Sequence, residues 1–200
     1  MSTASTTLRQ IAGLPATPAR LSESALVIVD AQNTYRGGVM QLVGVEPALD
    51  ECARLLARAR ALKTPVIHIQ HDSGPGSPYD VRAEIGAIAD KVEPQAGEPV
   101  VIKNYPNSFI GTDLDALLKA KGVKNLVVAG FMTHMCINST ARGAFNLGYA
   151  VTVPSAATAT RALPAPDGGV VGAEALQAAA LAALGDLFAV VVRDTSEIPD

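Results

Sequence analysis

Three residues of this 200-residue chain have the types and the settings for covalent hydrolysis: Asp30, Lys103 and Cys136. Cys136 lies in VVAGFMTHMCINSTARGAF (127–145), just past an apolar run and in the first turn of a helix-like pattern. A helix N-terminus offers unpaired N–H groups and the positive end of the macrodipole. Both favour a thiolate, and a nearby lysine adds to that. The same amides can hold an oxyanion once sulfur attacks a carbonyl. Asp30 follows an apolar stretch, ALVIV, so its carboxylate is expected to be poorly hydrated. Desolvation raises a carboxylate's pKa and a neighbouring lysine lowers it. An acid balanced in this way can exchange a proton with a thiol. Lys103 follows Val100-Val101-Ile102, so its stem starts from buried backbone, and a buried ammonium needs an anionic partner. Taken singly, each residue has an ordinary role: a core cysteine, a strand-end acid bonded to backbone, a surface lysine. Cys52, on the apolar face of a helical segment, is expected to be core.

The elements that must position these groups alternate along the chain. Short apolar runs at 25–32, 65–71, 98–103, 124–130, 149–157 and 187–194 read as strands. Helical patterns occupy 46–63, 112–122, 134–147 and 172–185, with Gly122 and Gly148 as stops. Such alternation implies βαβ units: one α/β domain, three-layer α/β/α and Rossmann-like, with a mostly parallel six-stranded sheet. It spans 22–200, and the Ser/Thr/Ala/Pro-rich residues 1–21 read as an N-terminal arm or a poorly ordered lead-in. Sites in open α/β sheets form at the carboxyl ends of the strands. Asp30 ends the first strand, Lys103 the third, and Cys136 lies just past the fourth.

Composition narrows the function classes. The net charge of −3 and the lack of a basic stripe leave no footprint for nucleic acid or an anionic membrane. Two cysteines make no disulfide framework, and no secretory signal opens the sequence, so a cytoplasmic setting is expected. The apolar stretch 169–192 is interrupted by Glu174, Gln177 and Asp186, as a helix and a strand would be. GPGSP (74–78) is neither G-x-G-x-x-G nor a P-loop, which argues against a nucleotide-binding domain. A redox-sensing thiol would explain an activated Cys136 but not the matching acid and lysine, and a catalytically silent scaffold remains open.

The blocks ALVIVDAQNTY (25–35), VVIKNYPNSFIGTDLDALL (100–118) and LVVAGFMTHMCINSTARGAFNLGY (126–149), in this order and spacing, resemble the isochorismatase-like cysteine hydrolase superfamily. That superfamily includes nicotinamidases, N-carbamoylsarcosine amidase, ureidoacrylate amidohydrolases and streptothricin hydrolase. The resemblance covers about residues 22–195. It implies an Asp30–Lys103–Cys136 triad in which the thiolate attacks an amide carbonyl and forms a thioester. It also implies a cis peptide between Phe131 and Met132, with the amides of Met132 and Cys136 as an oxyanion hole. It further implies a small-molecule substrate, no cofactor and assembly as a homodimer or homotetramer.

The chain also departs from some relatives. Nicotinamidases hold a metal through an Asp-x-His pair and a further histidine, whereas only His68, His71 and His134 occur here and no histidine follows Asp30 closely. A metal site, and nicotinamide as main substrate, are therefore not expected. A cysteine at the nucleophile position favours C–N hydrolysis over vinyl ether cleavage. His68, mid-strand, reads as a satisfied core histidine. Gln32, Tyr35, His71, Phe109, Met132 and His134 are the candidates to line the pocket, with core packing the competing role for Phe109 and Met132. Thr140 and Arg142 are expected to tie the Cys136 helix to its neighbours. Loops 36–46, 72–92 and 158–171 show no readable charge pattern, so the substrate stays open.

Overall fold

The run ALVIV is apolar at every position because both faces of its strand are covered. β1 (Ser24–Val29) is buried throughout: Leu26 and Ile28 enter one core layer, Ala25, Val27 and Val29 the other. This is the period-2 alternation of a strand with helices on both sides. In a computed structural model of the chain, which describes residues 5–200, α1 (Leu8–Ile11) precedes β1. After it come α2 (Val45–Ala61), β2 (Val66–His71), β3 (Val100–Lys103), α3 (Leu114–Ala120), β4 (Asn125–Phe131), α4 (Asn138–Asn146) and β5 (Ala150–Pro154). β6 (Thr158–Ala159), β7 (Leu163–Pro164), β8 (Val170–Val171), α5 (Ala173–Gly185) and β9 (Val190–Val192) complete the chain. α2 packs Leu49, Cys52 and Leu56 into the first layer, and α3, α4 and α5 pack Leu118, Ala141 and Leu184 into the second. The result is the expected three-layer α/β/α domain.

The main sheet runs β3-β2-β1-β4-β5-β9 with every pairing parallel. Those are the six expected strands. A seventh, β6, pairs only with the end of β4, through Gly130↔Thr158 and Phe131↔Ala159. Two residues are too few for a hydrophobic pattern to announce a strand. β7 and β8 form a separate antiparallel ribbon. The strand order reverses direction between β1 and β4, which opens a crevice outside their carboxyl ends. Among the described residues, no helix is long and apolar enough to cross a membrane.

The N-terminal segment carries a short helix. Residues 1–4 lie outside the described residues, but α1 is docked on the end of α5. Leu8 N–H donates to Asp186 Oδ1 at 2.9 Å, Arg9 N–H to Asp186 O at 2.7 Å, and the Arg9 guanidinium to Leu187 O at 2.8 Å. Thr7 and Gln10 close a capping box at its start.

Gly130 sets how closely the ends of β1 and β4 approach. Its φ is +114°, and a Cβ there would stand 2.0 Å from Val29 O. Neither the backbone conformation nor the gap tolerates a side chain. Gly130→Ala is expected to cost about 3 kcal/mol or more, lowering Tm by roughly 6–12 °C. Gly148→Ala, with φ +89° and open space around it, supplies the cost of the backbone conformation alone. Equal melting temperatures for the two variants would show that the Val29 contact is not the constraint.

Candidate active site

The three candidate groups arrive at the crevice by strand register. Lys103 is the last residue of β3 and pairs with His71, the last of β2. Parallel partners project to the same side, so their side chains meet. Asp30 follows β1; its N–H donates to Ile69 O at 2.9 Å, and its φ of +48° is left-handed. Such a conformation costs a non-glycine residue of order 1–3 kcal/mol and persists where the surroundings enforce it. Cys136 lies between β4 and α4, in a wide turn of π geometry over Thr133–Ile137. Ile137 N–H closes that turn on Met132 O at 3.2 Å. Cys136 therefore stands among the leading residues of the helix, whose amides the helix does not satisfy internally. The Phe131–Met132 peptide is cis, where the resemblance placed it.

Lys103 is the hub. Its Nζ lies 2.7 Å from Asp30 Oδ2, 3.0 Å from His71 Nδ1 and 3.4 Å from Cys136 Sγ. The Lys103 and Asp30 side chains are wholly buried. An ammonium only donates, so His71 Nδ1 must accept, and the remaining His71 N–H, at Nε2, faces Ser73 Oγ at 3.0 Å. Burial and the Lys103 charge push His71 down to about 4, which keeps the imidazole neutral as that bond requires. Neither Asp30 oxygen receives a well-aligned hydrogen bond, so the Lys103 contact is an ion pair with a poorly solvated carboxylate. Burial raises the Asp30 carboxyl above the usual range, against the pull of Lys103.

Cys136 departs from expectation. Burial first, then the Asp30 charge, push its thiol up to about 12, with Lys103 opposing. The resting site therefore holds a thiol; depth and a neighbouring anion outweigh the lysine. Cys52 is core as expected: fully buried, it donates its S–H to Ala157 O at 3.3 Å.

The other candidates divide. His71 touches Lys103 rather than standing free at a pocket wall. Gln32 is buried and fully engaged: its amide nitrogen donates to His71 O and Gly86 O, and its oxygen accepts from His71 N–H. It braces β2 against the following loop. Phe109 stacks on Tyr149 and packs against the second core layer. Tyr35 is buried edge-on to Phe131 and Tyr79, at 5.7 and 5.8 Å between ring centroids. Met132 is buried at the cis peptide, and His134 is half-buried with Nδ1 2.5 Å from Thr160 Oγ1. Thr140 ties α4 to Ser108 at 2.8 Å, and Arg142 lies over the Phe188 ring at 4.0 Å, both as expected. His68 is satisfied on one side only: Nε2 meets Glu98 at 3.0 Å, and Nδ1 has no partner. Tyr79, whose ring is 4.9 Å from that of His71, and Arg161 belong to this neighbourhood and came from loops without a sequence pattern.

The chain is similar to known proteins over nearly its whole length. The profile of the isochorismatase domain matches residues 24–196. A secreted isochorismatase effector of Verticillium dahliae is 34% identical, over 92% of this chain and 95% of that protein. A ureidoacrylate amidohydrolase of Stutzerimonas stutzeri is 34% identical, over 72% of this chain and 75% of that protein. The crystal structure of an isochorismatase from Pseudomonas putida KT2440 superposes with a TM-score of 0.91 at 36% identity, covering 94% of this chain and 97% of that one. With a matching domain profile, matching relatives and a matching fold across nearly its whole length, this chain belongs to the isochorismatase family.

Proposed function

We propose that this isochorismatase-family hydrolase cleaves a C–N bond of an amide, ureido or carbamoyl group in a small molecule, with Cys136 as nucleophile. The observation that carries the reading is a single ammonium, on Lys103, within 2.7 Å of a buried carboxylate and 3.4 Å of a thiol. The amidohydrolase among the relatives supports the bond type.

The protonation states define the path. The Asp30 charge bears on the Cys136 thiol, and burial makes the carboxylate a better base. As sulfur attacks the carbonyl carbon, the thiol proton passes to Asp30, so charge moves but none is created. Lys103 holds the charge in both positions. The amides of Met132 and Cys136 receive the oxyanion. Asp30 then returns the proton to nitrogen, the C–N bond breaks, and the amine or ammonia leaves a thioester. Water attacks that thioester as Asp30 takes its proton; the C–S bond breaks, the acid departs, and the thiol reclaims a proton. His71, neutral and accepting from Lys103, fixes the ammonium between its two anionic stations.

Two outcomes are expected. Cys136→Ala should lose activity on a panel of small amides and ureido acids by on the order of 10⁴-fold or more, with its melting temperature close to that of the wild type. Near-normal turnover in that variant would dismiss the mechanism. Separately, iodoacetamide should label Cys136 at a rate that climbs through pH 9 without levelling, because the free thiol titrates at about 12. A plateau reached below about pH 8 would mean a resting thiolate and a proton path that does not begin at the thiol.

A further inference from the structure

We propose that two copies of this chain join edge to edge along β3, antiparallel across a two-fold axis at Val101.

β3 ends the main sheet on one side and β9 on the other, and the two edges differ. At β9, Val190 and Val191 line one cavity together with Thr7, Arg9 and Leu14, so the N-terminal segment lies against that edge. Among the described residues nothing comparable covers β3. The connection from β2 to β3 contains no α-helix, so one face of β3 lacks the layer that α2 lays on β1. Val100 and Ile102, on that face, are 42% and 44% exposed, whereas Val101 and Lys103, on the other, are buried.

The backbone of this edge is free as well. His68 N–H donates to Pro99 O and Asp72 N–H to Lys103 O, so Pro99, Val101 and Lys103 turn their backbone towards β2. The N–H and C=O groups of Val100 and Ile102 point away from the sheet, and no loop or turn among the described residues bonds to them. A row of free strand donors and acceptors beside aliphatic side chains is a template for another strand, and proteins guard such rows with lysine, proline or a bulge. β3 contains no proline, its register with β2 is unbroken, and its one lysine is buried.

The strand that fits is β3 of a second copy. Residues 1–4 join the chain at the opposite edge, and four residues reach at most about 14 Å, short of a six-stranded sheet about 24 Å across. No charge sets two such edges against each other: Glu98 is paired with Arg60, Lys103 with Asp30, and the rest of 98–106 is uncharged. Two-fold symmetry makes the pairing antiparallel. Only with the axis at Val101 are both outward residues paired within the strand. Val100 then exchanges both backbone bonds with Ile102 of the partner subunit, and Ile102 with the partner's Val100. Because Val100 and Ile102 share a face, all four aliphatic side chains meet there. The pairing moves β3 from the rim to the middle of a continuous sheet, so the strand that carries Lys103 is braced on both sides.

Sedimentation equilibrium across a dilution series tests the assembly. The wild type should have the mass of a dimer or a whole multiple of it. Ile102→Pro removes only an outward N–H, which an edge strand tolerates, and it should halve that mass with the circular dichroism unchanged. Ile102→Lys should do the same. Cross-linking tests the register. The two Val101 residues would face each other as a pair without hydrogen bonds, about 4.5 Å apart at Cα, within disulfide range. Val101→Cys should therefore give a disulfide-linked dimer under mild oxidation. Val100→Cys should not, although Val100 is the more exposed, because the two Val100 residues are offset along the strands. A wild type that is monomeric throughout leaves the edge to some other strand and overturns the proposal. So does an unchanged mass in folded Ile102→Pro, a missing link in Val101→Cys, or faster linking through Val100→Cys, the mark of random collision.

Discussion

A charge pair sealed from water, Asp30 with Lys103 at 2.7 Å, is the constraint around which the rest of this molecule is arranged. Such a pair is a poor source of stability, because removing two ions from water costs about as much as their attraction returns. Breaking it by deleting one partner leaves a bare buried charge, at roughly 3–5 kcal/mol. The pair therefore has to be held from all sides. β2 runs between the two strands that carry it and contributes His71, whose Nδ1 takes a second proton of the ammonium. Cys136 takes the third. The remaining N–H faces the Asp30 carboxylate as an ion pair.

Holding the pair in place strains the backbone next to it. Asp30 sits at a left-handed φ of +48°, and the Gly130 carbon passes so close to Val29 that no Cβ fits. Both departures lie at the crevice between β1 and β4, while the bodies of those strands are regular and packed on both faces. The sheet absorbs the strain because its interior is over-determined by apolar contact. The thiol belongs to the same economy of charge. A thiolate in the resting site would place a second anion beside Asp30 with one ammonium to serve both. Keeping the proton on sulfur until a carbonyl is present leaves the site with one negative and one positive charge.

The sequence made the strand ends legible and little beyond them. Asp30, Lys103 and Cys136 stand out because an apolar run that stops at a polar group marks the edge of a buried strand, and the parallel topology brings such edges together. The contact of His71 with Lys103 depends on which residues of β2 and β3 pair, and register between distant segments has no local signature. The state of the thiol is not legible in the sequence for a related reason: the helix end and the lysine are local, whereas depth of burial is tertiary. Gln32 and Phe109 lie inside the matching blocks yet face structural neighbours, since a block fixes backbone path more firmly than side-chain duty. The docked N-terminal helix did carry a signal, Thr7-x-x-Gln10, a capping box overshadowed by the polar composition around it.

What lay hidden was the part of the site's surroundings that loops supply. Tyr79 and Arg161 come from segments 72–92 and 158–171, which have neither periodicity nor charge pattern. Their effect depends on being carried to one place by rigid neighbours. β6, only two residues long, does this for Arg161 by pairing with β4 beside the thiol. The candidate triad thus sits at strand ends, where geometry is fixed by the sheet, and its surroundings come from loops that the sheet merely anchors. A fold so organised can exchange loop residues without disturbing a buried ion pair whose partial loss would cost the protein stability.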